Sequence, residues 1–390
     1  MYHDTLFTPA WHASVLSACR TLIQLSPDPT LMDADTLLAV AKRINCNSHA
    51  IISPSPSAVV GLGLYCRVSL LNHSCQPNCH YQATRHGRMA VHTNTAVAEA
   101  DELTVHYCDL YESREERQRQ LLREKGFVCQ CARCSVDMRL GVDRLVAGVY
   151  CTCERLKQQR TKADSSGALK SGDSGGASVR WSREEVEAEM AVADGAVLIV
   201  WRGDVERAED EQRKDYRCLA CNKKYSQAAI NGLLQPLLAL HQKATQHRTA
   251  GRPQAAFESL EELVALNCQQ LICTPQHTLM LSSYVLLCNL ARHVAHITAS
   301  IRYARLVCAC YAIVFPAYFM ETADWRYLER LQLDKLIDEW RSKPRQDSKP
   351  VRSMIKRLED ERKRAHKDYT DILRVCTGEQ TNDSHSSRLR

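Results

Sequence analysis

Three cysteines on one short stretch, Cys129, Cys131 and Cys134 in a C-x-C-x2-C spacing, are the residues of this chain most plainly suited to chemistry. Three thiolates on a tight loop make most of a metal cage, and zinc normally takes four ligands in a tetrahedron. The fourth has to come from elsewhere. Cys75, within Asn72-His73-Ser74-Cys75-Gln76-Pro77-Asn78, is the candidate. Ordinary buried thiols are common for scattered cysteines but not at this spacing. A zinc ion shared by Cys75, Cys129, Cys131 and Cys134 would make the Asn-His loop and the later cysteine loop two walls of one pocket. Asn72 and His73 bring amide and imidazole hydrogen-bonding groups beside a turn set by Pro77. Tyr107 closes the stretch Glu102-Leu103-Thr104-Val105-His106-Tyr107, where a phenol could reach into that pocket. Standing alone, a tyrosine at a strand end is usually a packed edge aromatic.

The elements around these residues follow from pattern. Ser74, Pro77 and Asn78 are turn formers, so the Asn-His segment reads as a loop leaving the apolar run 68–71. Residues 91–97 and 103–107 read as short strands parted by a turn at Ala100-Asp101. A helix over 113–124 precedes the cysteine loop. Residues 11–25 and 33–44 show helical apolar spacing, with Pro27 and Pro29 between them. A lone Gly61-x-Gly63 does not make a phosphate or cofactor loop.

The stretch from Asn45 to Cys134 resembles the C-terminal part of a SET domain, and specifically that of the SET-and-MYND lysine methyltransferases. The resemblance is carried by Cys46-Asn47-Ser48, Gly61-Leu62-Gly63-Leu64-Tyr65, and Ser69-Leu70-Leu71-Asn72-His73-Ser74-Cys75-Gln76-Pro77-Asn78-Cys79. It continues through Asp101-Glu102-Leu103-Thr104, Tyr107-Cys108-Asp109-Leu110, Arg114-Glu115-Glu116-Arg117 and Phe127-Val128-Cys129-Gln130-Cys131-Ala132-Arg133-Cys134. About a quarter of the chain is covered densely.

The resemblance implies transfer of a methyl group from S-adenosyl-L-methionine to a lysine of a protein or peptide substrate, with chromatin proteins among the candidates. Asn47, Asn72, His73 and Phe127 would contact the cofactor, with Phe127 lying against the adenine. Tyr107 would be the active-site tyrosine at the inner end of the lysine channel, bordering the cofactor as well. The family's N-terminal strand and Gly-rich turn are not found before the match, and residues 1–43 hold one cysteine, Cys19, so no MYND zinc cluster is expected there. The expectation is therefore a chain without the first part of its cofactor site. The alternative is a zinc-stabilised interaction module that does not catalyse.

The chain's 390 residues leave room for two or three domains. Its 19 cysteines, clustered as C-x-C and C-x2-C, favour Zn2+ over disulfides. Residues 1–25 lack a basic start followed by an apolar core, so no signal peptide is expected. The longest uncharged apolar run, 306–320, contains Pro316 and reads as a buried helix, not a membrane span. A net charge of +6 permits acidic partners without predicting nucleic-acid binding. Cytoplasmic and nuclear residence are both compatible with these features.

A second constellation, Cys151-x-Cys153 and Cys218-x2-Cys221, makes either a four-thiolate ribbon or two unrelated thiol pairs. The insertion between them is Ser-, Gly-, Lys- and Gln-rich over 157–180, a flexible linker by composition. Zinc tolerates such insertions because loop-closure entropy grows slowly with length. From residue 228 the pattern is helical: 233–249, 253–266, 277–293, 298–314 and 325–340. Gly251-Arg252-Pro253-Gln254-Ala255-Ala256-Phe257 resembles the turn of a tetratricopeptide helix pair. Residues 352–367 form a helix of alternating charge. The polar end from 377 is expected to be disordered.

The resulting expectation is an α+β protein: a partial SET-domain β-fold with a helical insert and post-SET zinc site, then an all-α tetratricopeptide-like domain. In residues, the helical insert is 1–46, the C-terminal part of the SET domain 47–126 and the post-SET zinc segment 127–150. A zinc ribbon with its insertion takes 151–227, the helical domain 228–345, and the charged helix with its tail 346–390.

Overall fold

The computed structural model describes residues 7–30, 32–52, 59–83, 87–138, 140–151, 153, 182–191, 198–201, 216–218, 220–315, 319–342 and 348–377. The linker read over 157–180, Pro316 and the tail from 378 onward lie outside these residues. The chain divides into two units: Met1–Leu110, Glu115–Cys134 and Arg374–Arg390 form one, and Tyr111–Arg114 with Ser135–Leu373 form the other.

The first unit begins with two helices, α1 (Pro9–Leu25) and α2 (Ala34–Asn47). Each is started by a side chain that takes an otherwise orphaned backbone N–H. The Thr8 hydroxyl accepts from the Trp11 amide, and the Asp33 carboxylate accepts from the Thr36 amide. Strand β1 (Ser48–Ile52) pairs antiparallel with β2 (Val59–Leu64), so Gly61 and Gly63 lie within a strand. A single 3-10 turn, Val68–Leu70, then leads into β3 (Asn72–His73).

The Asn-His segment is thus a short strand where a loop was expected. It runs parallel to a later partner, Asn72 opposite Thr104 and His73 opposite Val105. Antiparallel β4 (Cys79–Ala83) and β5 (Met89–Thr93) lie between them in sequence, followed by that partner, β6 (Thr104–Val105). β5 ends four residues before the expected Val97. The Asn94 amide turns to the Asn78 carbonyl at 2.7 Å, and Asp101 caps the Ala98 amide at 2.8 Å, so the chain folds back before another ladder pair forms.

Helix α3 (Arg114–Lys125) carries almost no apolar face, yet Arg117, Gln118 and Leu121 are buried. Gly126 takes a positive φ of 75° just past its end, a conformation that costs glycine little, and this turns the chain into the cysteine loop. The short α4 (Ala132–Ser135) follows. The core of this unit is small and sulfur-rich. Cys75, Cys79, Val105, Leu110 and Leu121 are at most 1% exposed.

The second unit contains α5 (Asp143–Val146), β7 (Val149–Tyr150), α6 (Arg183–Met190), β8 (Leu198–Trp201), β9 (Tyr216–Cys218) and β10 (Lys224–Tyr225). The four strands form one antiparallel sheet in the order β10-β9-β8-β7. Six helices follow: α7 (Gln227–Thr249), α8 (Pro253–Gln270), α9 (Thr278–His293), α10 (Ile297–Val314), α11 (Met320–Arg341) and α12 (Lys349–Thr377). Consecutive members from α7 to α11 pack on one another, apart from the α8–α9 contact, which is lighter. Gly251, at φ 68°, makes the tight turn between α7 and α8, after which Phe257 is buried and stacks on His296.

Among the described residues α10 alone is long and apolar enough to cross a membrane. Its central Arg305 is 2% exposed and bonds Glu329 on α11 and Glu361 on α12 at 2.7 and 2.9 Å. Burial pushes the Glu329 carboxyl up, but Arg305, Arg326 and Arg183 outweigh it and hold it below the usual carboxylate value.

Candidate active site and its metal centre

The first unit brings Cys75, Cys129, Cys131 and Cys134 together, with all four sulfurs within 4.8 Å of one another. Cys75 Sγ is 3.5 Å from Cys134 Sγ and 4.0 Å from Cys129 Sγ. Tetrahedral zinc with bonds of about 2.3 Å spaces its sulfurs about 3.8 Å apart, so the cage has the right size for the ion. The same separations are far beyond the roughly 2.05 Å of a disulfide bond. Gln118 locks the cysteine loop to α3: its amide donates to the Cys129 carbonyl and its Oε1 accepts from the Cys129 amide, both at 2.7 Å.

A side chain the chemistry reading passed over supplies positive charge. Arg117 is fully buried, and its Nε donates to Cys75 Sγ at 3.2 Å while Nη2 reaches Cys134 Sγ at 3.7 Å. Four thiolates around Zn2+ carry a net double negative charge, which a guanidinium offsets where water cannot. Arg133 completes the frame, donating to the carbonyls of Leu110 at 2.7 Å and Cys75 at 3.3 Å.

His73 joins this metal cage to the candidate cofactor pocket. Its Nδ1 accepts the Tyr107 backbone N–H at 3.0 Å, so the ring proton sits on Nε2, which lies 3.2 Å from Cys75 Sγ. With both ring nitrogens engaged, His73 can offer a ligand its backbone or its ring face. Cys108, buried in the same nest and also missed, stands with His73 and Cys75 as a further ligand-like group.

Tyr107 and Phe127 both lie against the His73 ring, at centroid distances of 5.4 and 6.1 Å. The Tyr107 hydroxyl donates to the Leu71 carbonyl, one residue before Asn72. Burial, then the neighbouring Tyr81, raises the Tyr107 pKa. Asn72 is exposed and donates its amide to Glu102 at 2.6 Å. Asn78 pins the same strands together, bonding the Glu102 carbonyl and the Thr104 amide. Tyr81 and His49 extend the aromatic lining, with ring centroids 4.9 Å apart edge to face. Lys125 Nζ lies 5.3 Å over the Tyr107 ring and donates to the Cys46 carbonyl at 2.9 Å.

Asn47 stands apart from this group. It is the last residue of α2, and its amide donates to the Arg43 carbonyl one turn back. Its own carbonyl accepts from the Ser69 hydroxyl at 2.9 Å, which ties it to the turn leading into Asn72. The remaining predicted ligands, Cys151, Cys153, Cys218 and Cys221, come together separately in the second unit.

Comparison with known proteins adds the following. Residues 26–108 match the SET domain family. Histone-lysine N-methyltransferase SMYD3 of Homo sapiens is 39% identical over 129 residues, which is 32% of this chain and 29% of that protein. Histone-lysine N-methyltransferase SMYD1 of Homo sapiens is 32% identical over 118 residues, 27% of this chain and 24% of that protein. Histone-lysine N-methyltransferase ASHR1 of Arabidopsis thaliana is 34% identical over 93 residues, 24% of this chain and 19% of that protein. The chain thus spans less than a third of the length of these relatives. Residues 26–108 thus match a SET domain within an α+β structure that has a helical C-terminal region. Within it, the resemblance is to the SET-and-MYND type of lysine methyltransferase.

Proposed function

We propose that this chain carries the substrate and zinc side of an S-adenosyl-L-methionine-dependent protein-lysine N-methyltransferase, acting on a lysine of a histone or another protein. The observation that carries the reading is Tyr107. It is joined through His73 to a four-cysteine cage, and its hydroxyl proton is directed to the Leu71 carbonyl. A phenol whose proton is engaged in this way presents its oxygen lone pairs to an incoming amine. Its raised pKa keeps it neutral near pH 7, so it orients the amine and does not act as a strong base.

When bound, S-adenosyl-L-methionine supplies the electrophilic methyl group. The exposed Asn72 amide, the backbone of His73, the Phe127 ring and, at the end of α2, Asn47 are the groups assigned to hold it. Aromatic walls from Tyr107, Tyr81 and His49 would strip water from the substrate ammonium, which lowers a lysine's pKa and frees the attacking lone pair. Most of the acceleration would then come from positioning and desolvation. Zn2+ at Cys75, Cys129, Cys131 and Cys134 would serve as a post-SET structural site that holds β3 and the Phe127 loop in register. The helical second unit would act as a tetratricopeptide-like domain, and chromatin proteins are the first candidate substrates.

The test is calorimetric titration of the zinc-loaded protein with S-adenosyl-L-methionine, followed by methyl transfer to a histone mixture. Tyr107→Phe is expected to reduce transfer by about a hundredfold while cofactor affinity barely moves. Equal loss of both would make Tyr107 a packing residue. Absence of cofactor binding by fully zinc-loaded protein would leave the chain as a zinc-stabilised interaction module.

A further inference from the structure

The second unit holds four cysteines that the methyl-transfer reading does not use. Cys151 and Cys153 follow β7, while Cys218 ends β9 and Cys221 follows in the turn toward β10. The structure places Cys151 Sγ 3.9 Å from Cys221 Sγ and Cys153 Sγ 3.8 Å from Cys218 Sγ. All four sulfurs lie within 4.8 Å of one another. These spacings match the edge of a zinc–thiolate tetrahedron, about 3.8 Å, and again exclude formed disulfides.

The backbone around them is shaped as a metal knuckle. The Cys221 amide donates to Cys218 Sγ at 3.4 Å, and the Asn222 amide to the Cys218 carbonyl at 3.1 Å. Asn222 itself takes a positive φ of 57°, and the Cys218 amide closes the turn on the Lys223 carbonyl at 3.0 Å. Asparagine tolerates this left-handed conformation better than most residues. An amide aimed at a sulfur is best used when that sulfur carries charge, as a metal-bound thiolate does. The Tyr225 hydroxyl, 3.0 Å from Cys151 Sγ, supplies a further donor.

The location explains what an ion would do. β7 and β9 flank β8 without pairing to each other, Tyr150 lying opposite Leu198 and Cys218 opposite Ile199. The hydrophobic cluster beneath consists of Val149, Cys151, Ile199, Cys218 and Ile230, with Cys153, Tyr216, Tyr225, Leu233 and Leu234 partly buried against it. Cys151 and Cys218 in that core are themselves candidate ligands, so an ion would tie the sheet to its own hydrophobic cluster.

We propose that Cys151, Cys153, Cys218 and Cys221 hold a structural zinc ion that clamps β7 to β9 across β8. Four thiolates leave no open coordination position, so the site fastens the sheet and takes no part in catalysis. Cys221, the one exposed ligand, is the point at which the ion enters and leaves. The assignment is independent of methyl transfer, because it rests on residues outside the SET match.

Native mass spectrometry with elemental analysis of the full chain tests it. The wild type is expected to carry two zinc equivalents. Cys221→Ser should lose one, Cys129→Ser the other, and the double variant both. Cys221→His should regain the second equivalent, since imidazole replaces a thiolate in tetrahedral zinc sites. Cobalt(II) titration of the metal-stripped wild type should show two equivalents of tetrahedral thiolate absorption, a readout that needs no variant to fold. One equivalent in the wild type, an unchanged count in Cys221→Ser, iron as the occupant, or a two-dalton mass loss from a Cys151–Cys221 disulfide would overturn the proposal.

Discussion

The two four-cysteine clusters have the same ligand chemistry and differ in what surrounds the sulfurs. The cluster of Cys75, Cys129, Cys131 and Cys134 is supported by a fully buried guanidinium and by His73, which also grips the Tyr107 backbone. The cluster of Cys151, Cys153, Cys218 and Cys221 has a knuckle amide, a tyrosine hydroxyl and one exposed ligand. A metal cage wired to a functional residue has to be charge-compensated and rigid, because any slack is passed to the pocket. A cage that only fastens strands can stay at the surface and use water for screening. The contrast therefore separates a positioning role from a fastening one.

The sharpest break of this comparison is Cys75→Ser. It is expected to lose one zinc equivalent, release β3 from the Cys129 loop and abolish methyl transfer, while the second-unit metal stays. Structural zinc is worth on the order of 10 kcal/mol to small sites, so the first unit's thermal transition should collapse. An unchanged zinc count would refute the shared cage.

Buried arginine is handled differently in the second unit, where Arg305 faces two carboxylates. Glu329→Ala leaves Arg305 paired with Glu361 and should cost about 3 kcal/mol in urea unfolding, the low end for a broken buried pair. Glu329 is held below its ordinary pKa, so its contribution is complete above the unfolded value. It should be lost as pH falls through the lower folded value, and Glu329→Ala should flatten that acid limb of the stability curve.

Arg117→Met tests the compensating charge at the first cage. Zinc affinity should fall about 10- to 100-fold, as for other groups that support metal ligands, measured by competition with a chromophoric chelator. The second site should hold its metal as before. Smallest is Tyr225→Phe, which removes one hydroxyl from Cys151. A loss of about 1 kcal/mol is expected, with both zinc equivalents retained. An effect at Tyr225 as large as at Arg117 would erase the distinction between the clusters.

Much of the helical unit was legible in advance because its periodicity is local. The expected helices at 253–266, 277–293 and 298–314 reappear as Pro253–Gln270, Thr278–His293 and Ile297–Val314. The cysteine groupings were legible too, since C-x-C-x2-C and C-x2-C constrain sulfurs by spacing alone. Arg117 and Cys108 were hidden for the opposite reason. An arginine on a polar helix reads as solvated, and only packing against a sulfur cage makes it a buried counter-charge. Asn47, expected at the cofactor pocket from its motif, ends α2, where its amide donates to the Arg43 carbonyl.

By itself the sequence determined which side chains could ligate metal, roughly where the C-terminal helices lie, and which phenol stands beside the Asn-His pair. Those follow from spacing, caps and turn chemistry acting over a few residues. Tertiary structure alone decided which sulfurs meet, which nitrogen of His73 carries its proton, and whether a charge is screened by water or by a guanidinium. Such outcomes depend on contacts between residues 34 to 70 positions apart, and no local pattern encodes those.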